Sequence, residues 1–460
     1  MSSSLPLAAS IRSAATTPTA FYRPAGIMAC LVVGSLPVPA FAQNTFGPFL
    51  DSAIPMDNDR GRQVSVLDRP RPEYEPDGIP LAGFTLLPSV QAGIGASNNV
   101  FGAGSEAGSG AGIGKTGDVY FTLDPAVRLR SNWSRHALSL QGGGSLRRFT
   151  ENPVRDETGL DATVDARLDL AREFTVDLTA GAERAYQSQY ASDAPSANLS
   201  PLRYSALRGL VRGAYAAGAI KLTAAFDVNR IDFRDVTNLD GDTTDQDYRD
   251  RTLARGSVRI EYAFTPEFSA FGEASLSRID HDEDLVADNP NRDGTDLHLL
   301  AGTSFDLAGI ARAHVGLGMV QRTFRAKDSY AKMQGLGYDL RAEFFPSGLT
   351  TLTIGAKRTI REAATLGASG FFTQSLLGRV DHELMRHVLL FAQAQYQRSR
   401  FKGLDRRDTT FAGQAGALYL VNRTIRVTGA LTYSDRASSG SQPGPAFDEL
   451  RGVIAVTAAF

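Results

Sequence analysis

The chain has 460 residues, 21% of them charged, and a formal net charge of −2, which excludes a general nucleic-acid binder because that function needs a basic excess. Mean hydropathy is slightly polar at −0.17, and past the N-terminal region no stretch approaches the roughly 18 apolar residues of a transmembrane helix. The lone cysteine, Cys30, permits no internal disulfide.

The first element in chain order is a Ser/Thr/Ala-rich start with Arg12 and Arg23, then an apolar run from Ala25 to Val38. Ala40-Phe41-Ala42 has the small-x-small form of a signal-peptidase site, so residues 1–42 are expected to be a cleaved secretory signal peptide. Cleavage there removes Cys30 and leaves 460 − 42 = 418 residues. Residues 43–80 form a Pro/Asp/Arg-rich leader, expected to be extended and periplasmic because Asp68-Arg-Pro-Arg-Pro-Glu-Tyr-Glu-Pro76 cannot form a helix. A sharper expectation is that it plugs a lumen or docks a periplasmic partner of an export apparatus.

Residues 81–460 read as one unit, an outer-membrane β-barrel. From Gly83 onward, segments of about ten to fifteen residues alternate apolar with polar, as transmembrane strands do. Leu160, Ala162, Val164, Ala166, Leu168 and Leu170 fall on one face, and Asp161, Thr163, Asp165, Arg167 and Asp169 on the other. A helix would scatter those charges around its circumference. Short connections near 132–135, 171–173, 217–218, 265–266, 308–309, 346–348, 385–386 and 422–423 take turns with longer polar loops near 98–116, 151–157, 191–203, 235–250, 282–294, 326–332, 363–370, 402–407 and 437–446. That asymmetry gives about 18 strands, with 16 or 20 as the neighbouring counts. The last strand alternates Ile454, Val456, Ala458 and Phe460 against Val453, Ala455, Thr457 and Ala459. Its terminal Phe460 is read as the assembly signal for the barrel-assembly machinery, so Phe460→Ser should sharply lower assembly. Phe174, Phe264, Phe268, Phe344, Phe345, Phe372 and Tyr419 are expected to form an interface belt with Phe460 near the short turns, where Trp133 also lies. The predicted fold is all-β, a transmembrane antiparallel up-and-down barrel; the rival is an array of soluble β-sandwiches, which does not explain the loop asymmetry.

Several segments resemble one known family. Arg71-Pro-Glu-Tyr-Glu-Pro-Asp-Gly-Ile-Pro-Leu-Ala-Gly-Phe84 followed by Leu87-Pro-Ser, Asn98-Asn-Val-Phe101, Arg130-Ser-Asn-Trp-Ser-Arg-His-Ala137, Gly367-Ala-Ser-Gly370, Val380-Asp-His-Glu-Leu384 and Leu420-Val-Asn-Arg423 are similar to a proteobacterial outer-membrane β-barrel porin family. Its members often lie in gene neighbourhoods for exopolysaccharide or capsule production. The resemblance covers nearly everything after residue 68 and implies fold and location strongly, substrate weakly, and no catalytic residues.

A barrel of about 18 strands is wide enough to hold water, so its inward charges become the candidate site. The lumen-lining candidates are Arg128, Arg130, Arg167, Arg208, Arg212, Arg255, Arg259, Glu261, Glu273, Arg341, Glu343, Arg379, Asp381 and Arg426. Cross-strand pairing accounts for much of such a pattern; the functional reading is a polar conduit for hydrated solutes or a glycan.

Other constellations give less. Asp240, Asp242, Asp245, Asp247 and Asp250, then Asp280, Asp282, Glu283, Asp284, Asp288 and Asp293, crowd two loops without the EF-hand order, so solvated acidic loops are expected and no metal site. The stretch 102–110 lacks the Lys-Ser/Thr ending of a phosphate loop. His298 and His314 fall on inward faces and His382 and His387 flank a turn, but no Gly-x-Ser-x-Gly or His-Glu-x-x-His exists. No enzyme, cofactor or nucleic-acid partner is expected. The expected partners are outer-membrane lipid and lipopolysaccharide, with polysaccharide and a periplasmic export component beyond them. The alternatives to a porin-like conduit are a closed barrel for structure or surface attachment and, below it, an outer-membrane enzyme.

Overall fold

The structure, a computed structural model, describes residues 64–104, 114–194, 199–238, 241–287 and 289–460. The signal peptide with Cys30, the leader up to residue 63, Asp240, Asp288 and most of the glycine-rich stretch lie outside the described residues.

Period-two sequence becomes eighteen long strands: β1 Phe84–Ser97, β2 Asp118–Ser131, β3 Ala137–Phe149, β4 Glu157–Asp169, β5 Phe174–Tyr186, β6 Arg203–Ala217, β7 Ile220–Phe233, β8 Arg251–Thr265, β9 Phe268–His281, β10 Gly294–Leu307, β11 Ala311–Phe324, β12 Met333–Ser347, β13 Thr350–Arg361, β14 Gly370–Met385, β15 Val388–Lys402, β16 Arg407–Leu420, β17 Ile425–Ser439 and β18 Phe447–Ala459. Each pairs antiparallel with its neighbours in sequence, and β18 closes the ring on β1, from Ser89 opposite Ala459 to Ser97 opposite Arg451. Closure matters because an open edge would leave backbone donors unpaired in hydrocarbon. Ile79–Leu81 adds a short hairpin strand to β1.

One end of the cylinder carries tight turns and the other all the long loops. The turn between β10 and β11 shows why it can be tight: Ala308 (φ 50°) and Gly309 (φ 77°) both take positive φ, as a hairpin turn matched to strand twist requires. The long loop after β5 begins at Gln187, ahead of the expected start at residue 191.

Burial is inverted relative to a protein dissolved in water. Leu431 is 63% exposed, Ile454 61% and Phe264 60%, whereas Asp227 and Arg322 are buried on the inner face. A continuous apolar exterior is stable only against lipid, and it identifies the outer wall as membrane-spanning. Leu160, Val164 and Leu170 lie on that wall, as do Ile454, Val456 and Phe460. Phe174, Phe264, Phe268, Phe344, Tyr419 and Trp133 are exposed at the short-turn end. Two residues assigned to the same belt are placed elsewhere. Phe345 is buried because it follows outward Phe344 and so points inward, under the Arg312 guanidinium. Phe372 is the third residue of β14 and therefore lies near the long-loop end.

Candidate functional site

The face opposite the apolar belt carries Arg128 and Arg130 on β2, Arg167 on β4, Arg208 and Arg212 on β6, and Arg255, Arg259 and Glu261 on β8. It also carries Glu273 on β9, Arg341 and Glu343 on β12, Arg379 and Asp381 on β14, and Arg426 on β17. Antiparallel register brings many of these into pairs: Arg212 with Asp177 (2.9 Å), Arg255 with Asp227 (2.8 Å), and Arg259 with Glu273. Glu343 accepts from both Arg312 and Arg341. Ser269 donates to Glu261 at 2.7 Å, and Arg128 to Gln141 at 2.9 Å. Arg130 and Arg426 form no ion pair among the described residues.

A second pattern was available in the sequence. Opposite charges two residues apart in extended chain share a face, and several such pairs bond in the structure: Arg167 with Asp169, Arg341 with Glu343, Arg379 with Asp381, Arg406 with Asp408 at the start of β16, and Arg451 with Glu449. The last two pairs were not among the predicted residues, and they anchor an obstruction of the lumen.

That obstruction is the loop after β5, which crosses the lumen as a strap. Ser192 donates to Ser399 on β15 at 2.8 Å. In a ring of eighteen strands, β15 lies eight strands from β5 one way and ten the other, so the loop reaches the nearly opposite wall. Arg436 on β17 donates to the carbonyls of Gln189 (3.0 Å), Ala191 (2.9 Å) and Ser192 (3.4 Å), and Arg406 donates to Ser192 O at 2.9 Å. Both guanidiniums are held by Asp408, and the Arg436 and Asp408 side chains are both 0% exposed. Tyr190 packs its ring on Phe447 and donates its hydroxyl to Glu449. Burial, reinforced by Glu449, holds that phenol well above its ordinary range, so it remains a donor.

Other long loops lock onto the strap. Arg249, buried over the Phe233 ring, donates to Gln187 (3.0 Å) and Asp193 (3.3 Å). Asn291 donates to Tyr248 O (2.9 Å), and Arg292 reaches the carbonyls of Thr365 (2.7 Å) and Ala368 (2.8 Å). Burial alone would raise the Glu362 carboxyl, but Arg251 and His281 outweigh it and hold the group well below the carboxylate range. The acidic run ending in the 282–293 loop is thus not simply solvated: Asp280 pairs with Arg278 and Arg325, Asp282 with Arg230, and Asp293 with Arg325.

Asp250 gives this lid a pH dependence. Burial pushes its carboxyl up to about 6; Asp232, Asp247 and Asp282 add to the rise, against the N–H of Phe233, which donates to it at 2.6 Å. A folded-state value above the ordinary 3.8 means that the protonated form favours the closed loop. The stabilisation is complete below the ordinary value and is lost as pH rises through about 6. After correction for intrinsic exchange, the Phe233 amide should therefore be better protected at pH 5 than at pH 7.5. A flat profile would show that Asp250 ionises without cost.

At the short-turn end, the described part of the leader, residues 64–78, folds into successive turns against the inner wall. Val66 is buried among Leu389, Leu418 and Leu420, and its N–H donates to Thr351 Oγ1 at 3.0 Å. Glu383 accepts from Arg69 (2.9 Å) and Arg71 (2.7 Å), while Glu73 and Asp77 pair with Arg386 and Arg423 at the rim. Charged hydrogen bonds contribute about 1.5–3 kcal/mol each. Glu383→Gln should therefore speed exchange of the Val66 amide by at least about tenfold, and Asp381→Asn two residues away should not.

The family model described as "Putative beta-barrel porin 2" matches residues 71–460. Among solved structures, the chain is similar to the outer membrane protein OpdK of Pseudomonas aeruginosa, with 11% identity, a TM-score of 0.42, and coverage of 82% of this chain and 99% of that one. OpdO of Pseudomonas aeruginosa gives 14% identity and a TM-score of 0.43 over 82% and 97%. A BenF-like porin from Pseudomonas fluorescens Pf-5 gives 12% and 0.43 over 83% and 100%. No curated protein matches the chain.

Proposed function

Because the chain belongs to the beta-barrel porin 2 family, we propose that it is a porin-like conduit of the outer membrane whose passage is controlled by the strap and the leader. One observation carries this reading: a closed ring of eighteen strands presents hydrocarbon outward and paired charges inward. The short-turn end then faces the periplasm and the long loops the exterior, in keeping with export by a cleaved signal peptide. Mixed charge on the inner wall suits small hydrated solutes, which must bind weakly enough to leave.

A second reading, passage of a polysaccharide during exopolysaccharide or capsule export, has its own support. Arg379 donates to Gln393 (2.8 Å), Gln393 to Gln414 (3.0 Å) and Gln414 to Thr432 (3.2 Å), a row of amides and hydroxyls across four strands that matches the hydrogen-bonding groups of sugars. Planar-bilayer recording of the mature protein, beside a form lacking residues 43–78, tests both. Current in either form supports a conduit, and its interruption by added neutral oligosaccharide supports the glycan reading. Silence in both forms, persisting after the strap is released, would leave a closed structural or surface-attachment barrel.

A further inference from the structure

The outer wall carries a charged patch that the lumen does not use. At the long-loop end of β15 and β16, Arg398, Arg400, Lys402 and Arg407 are all exposed. They share the outward parity of Leu390 and Tyr396 on β15 and of Phe411 on β16, each exposed on the apolar belt. Tyr396 and Phe411 are direct cross-strand partners, and Arg398 lies two residues beyond Tyr396, about 7 Å along the strand. That is where hydrocarbon gives way to headgroups.

The pairing around the patch is unfavourable for an isolated protein. Arg400 lies directly opposite Arg407, and like charges in that position are destabilising. On the other side, Arg398 faces Gln374 and Arg400 faces Phe372, neither of them acidic. None of the four cations forms an ion pair among the described residues. The outward carboxylate of Asp435, opposite Phe411, lies on the belt side of the patch. Several other exposed arginines near this rim have partners, Arg230 with Asp282 (2.8 Å), Arg278 with Asp280 (2.7 Å) and Arg148 with Asp156 (3.7 Å), whereas Arg184 and Arg203, likewise unpaired among the described residues, do not stand four together. Four adjacent cations without such compensation call for an anion from outside the chain.

We propose that this patch binds the phosphates of a phosphorylated outer-leaflet lipid of the lipid A class, whose acyl chains lie along Tyr396 and Phe411. Guanidiniums grip phosphate oxygens bidentately, and their stems run along the apolar wall while the charged heads reach the headgroup level. The inference rests on the outer-membrane reading above, which is read out separately by density-gradient fractionation and conductance of the wild type.

The test uses the full barrel in detergent with three probes: bis-phosphorylated lipid A, dephosphorylated lipid A and inorganic phosphate. Native mass spectrometry should show the wild type retaining bis-phosphorylated lipid A, and the R398Q/R400Q/K402Q/R407Q variant retaining it at least tenfold less. The single variant R400Q guards against misfolding as the cause. Without lipid it should unfold at the same or a higher temperature than the wild type, since a repulsion is removed, whereas lipid A should raise its midpoint less than that of the wild type. Equal retention by the quadruple variant, or by dephosphorylated lipid A, overturns the proposal. Stabilisation by inorganic phosphate equal to that by lipid A overturns the lipid as the source.

Discussion

Replacing Arg436 with methionine is expected to raise the frequency of channel opening by about two orders of magnitude in planar bilayers. The substitution keeps the length and apolar bulk of the side chain while removing the donors that hold three carbonyls of the strap, those of Gln189, Ala191 and Ser192. Hydrogen bonds from a charged donor contribute about 1.5–3 kcal/mol each, and they are not additive when shared by one group. Loss of about 3 kcal/mol from the closed strap shifts an open-to-closed ratio by roughly a hundredfold. Asp408 remains satisfied by Arg406 and Ser438, so the wall itself should stay intact. Arg426→Met, on the inward face of the same strand but at the short-turn end, should leave opening unchanged. Equal open probability for Arg436→Met and the wild type would show that the strap does not limit passage.

The two obstructions share one sector of the wall. The leader seats on β13 through β16, by way of Thr351, Glu383, Leu389 and Leu418. The strap is anchored on β15 to β18 by Ser399, Asp408, Arg436 and Glu449. The inward charges of this sector are therefore largely structural, holding loops in place. On β2, β4 and β6, by contrast, Arg130 is exposed and Arg128, Arg167 and Arg208 are only partly buried. Among the described residues these side chains hold no loop in place, and they stay open to the water-filled space inside the barrel.

This division explains what could be read from sequence. Strand existence and facing were legible because a one-residue slip would expose every charge to lipid, so alternation in segments such as 160–170 admits a single register. Turn positions were legible because a tight reversal needs residues like Gly218 and Gly309, whose φ values are positive. The strap was not. Gln187 to Asp193 has the composition of any polar loop, and its anchors lie 207 residues away in the Ser192–Ser399 contact and 259 in the Tyr190–Glu449 contact. Nothing local specifies that such a loop folds inward. For the described part of the leader the reason is related: its prolines forbid a helix but allow turns as readily as an extended run, and Glu383 favours the turns by gathering Arg69 and Arg71.

The register itself can be tested by a pair of neighbours on β4. Val164 is 42% exposed on the lipid wall, directly opposite Ala180 of β5, while Thr163 faces the lumen beside Gly181. Arginine at 164 must place a guanidinium in hydrocarbon near mid-strand, which should lower folding stability by about 2–4 kcal/mol if the site lies at the bilayer midplane. Arginine at 163 enters an aqueous, already charged space, close to the Thr179–Asp165 hydrogen bond of 2.7 Å, and should change stability by less than about 1 kcal/mol. Urea unfolding of the two variants in the same lipid measures the difference. A larger loss for Thr163→Arg than for Val164→Arg would reverse the assignment of lumen and lipid faces along β4. Through the unbroken ladder to β5 and β6, it would also reverse the assignment of the two faces on those strands.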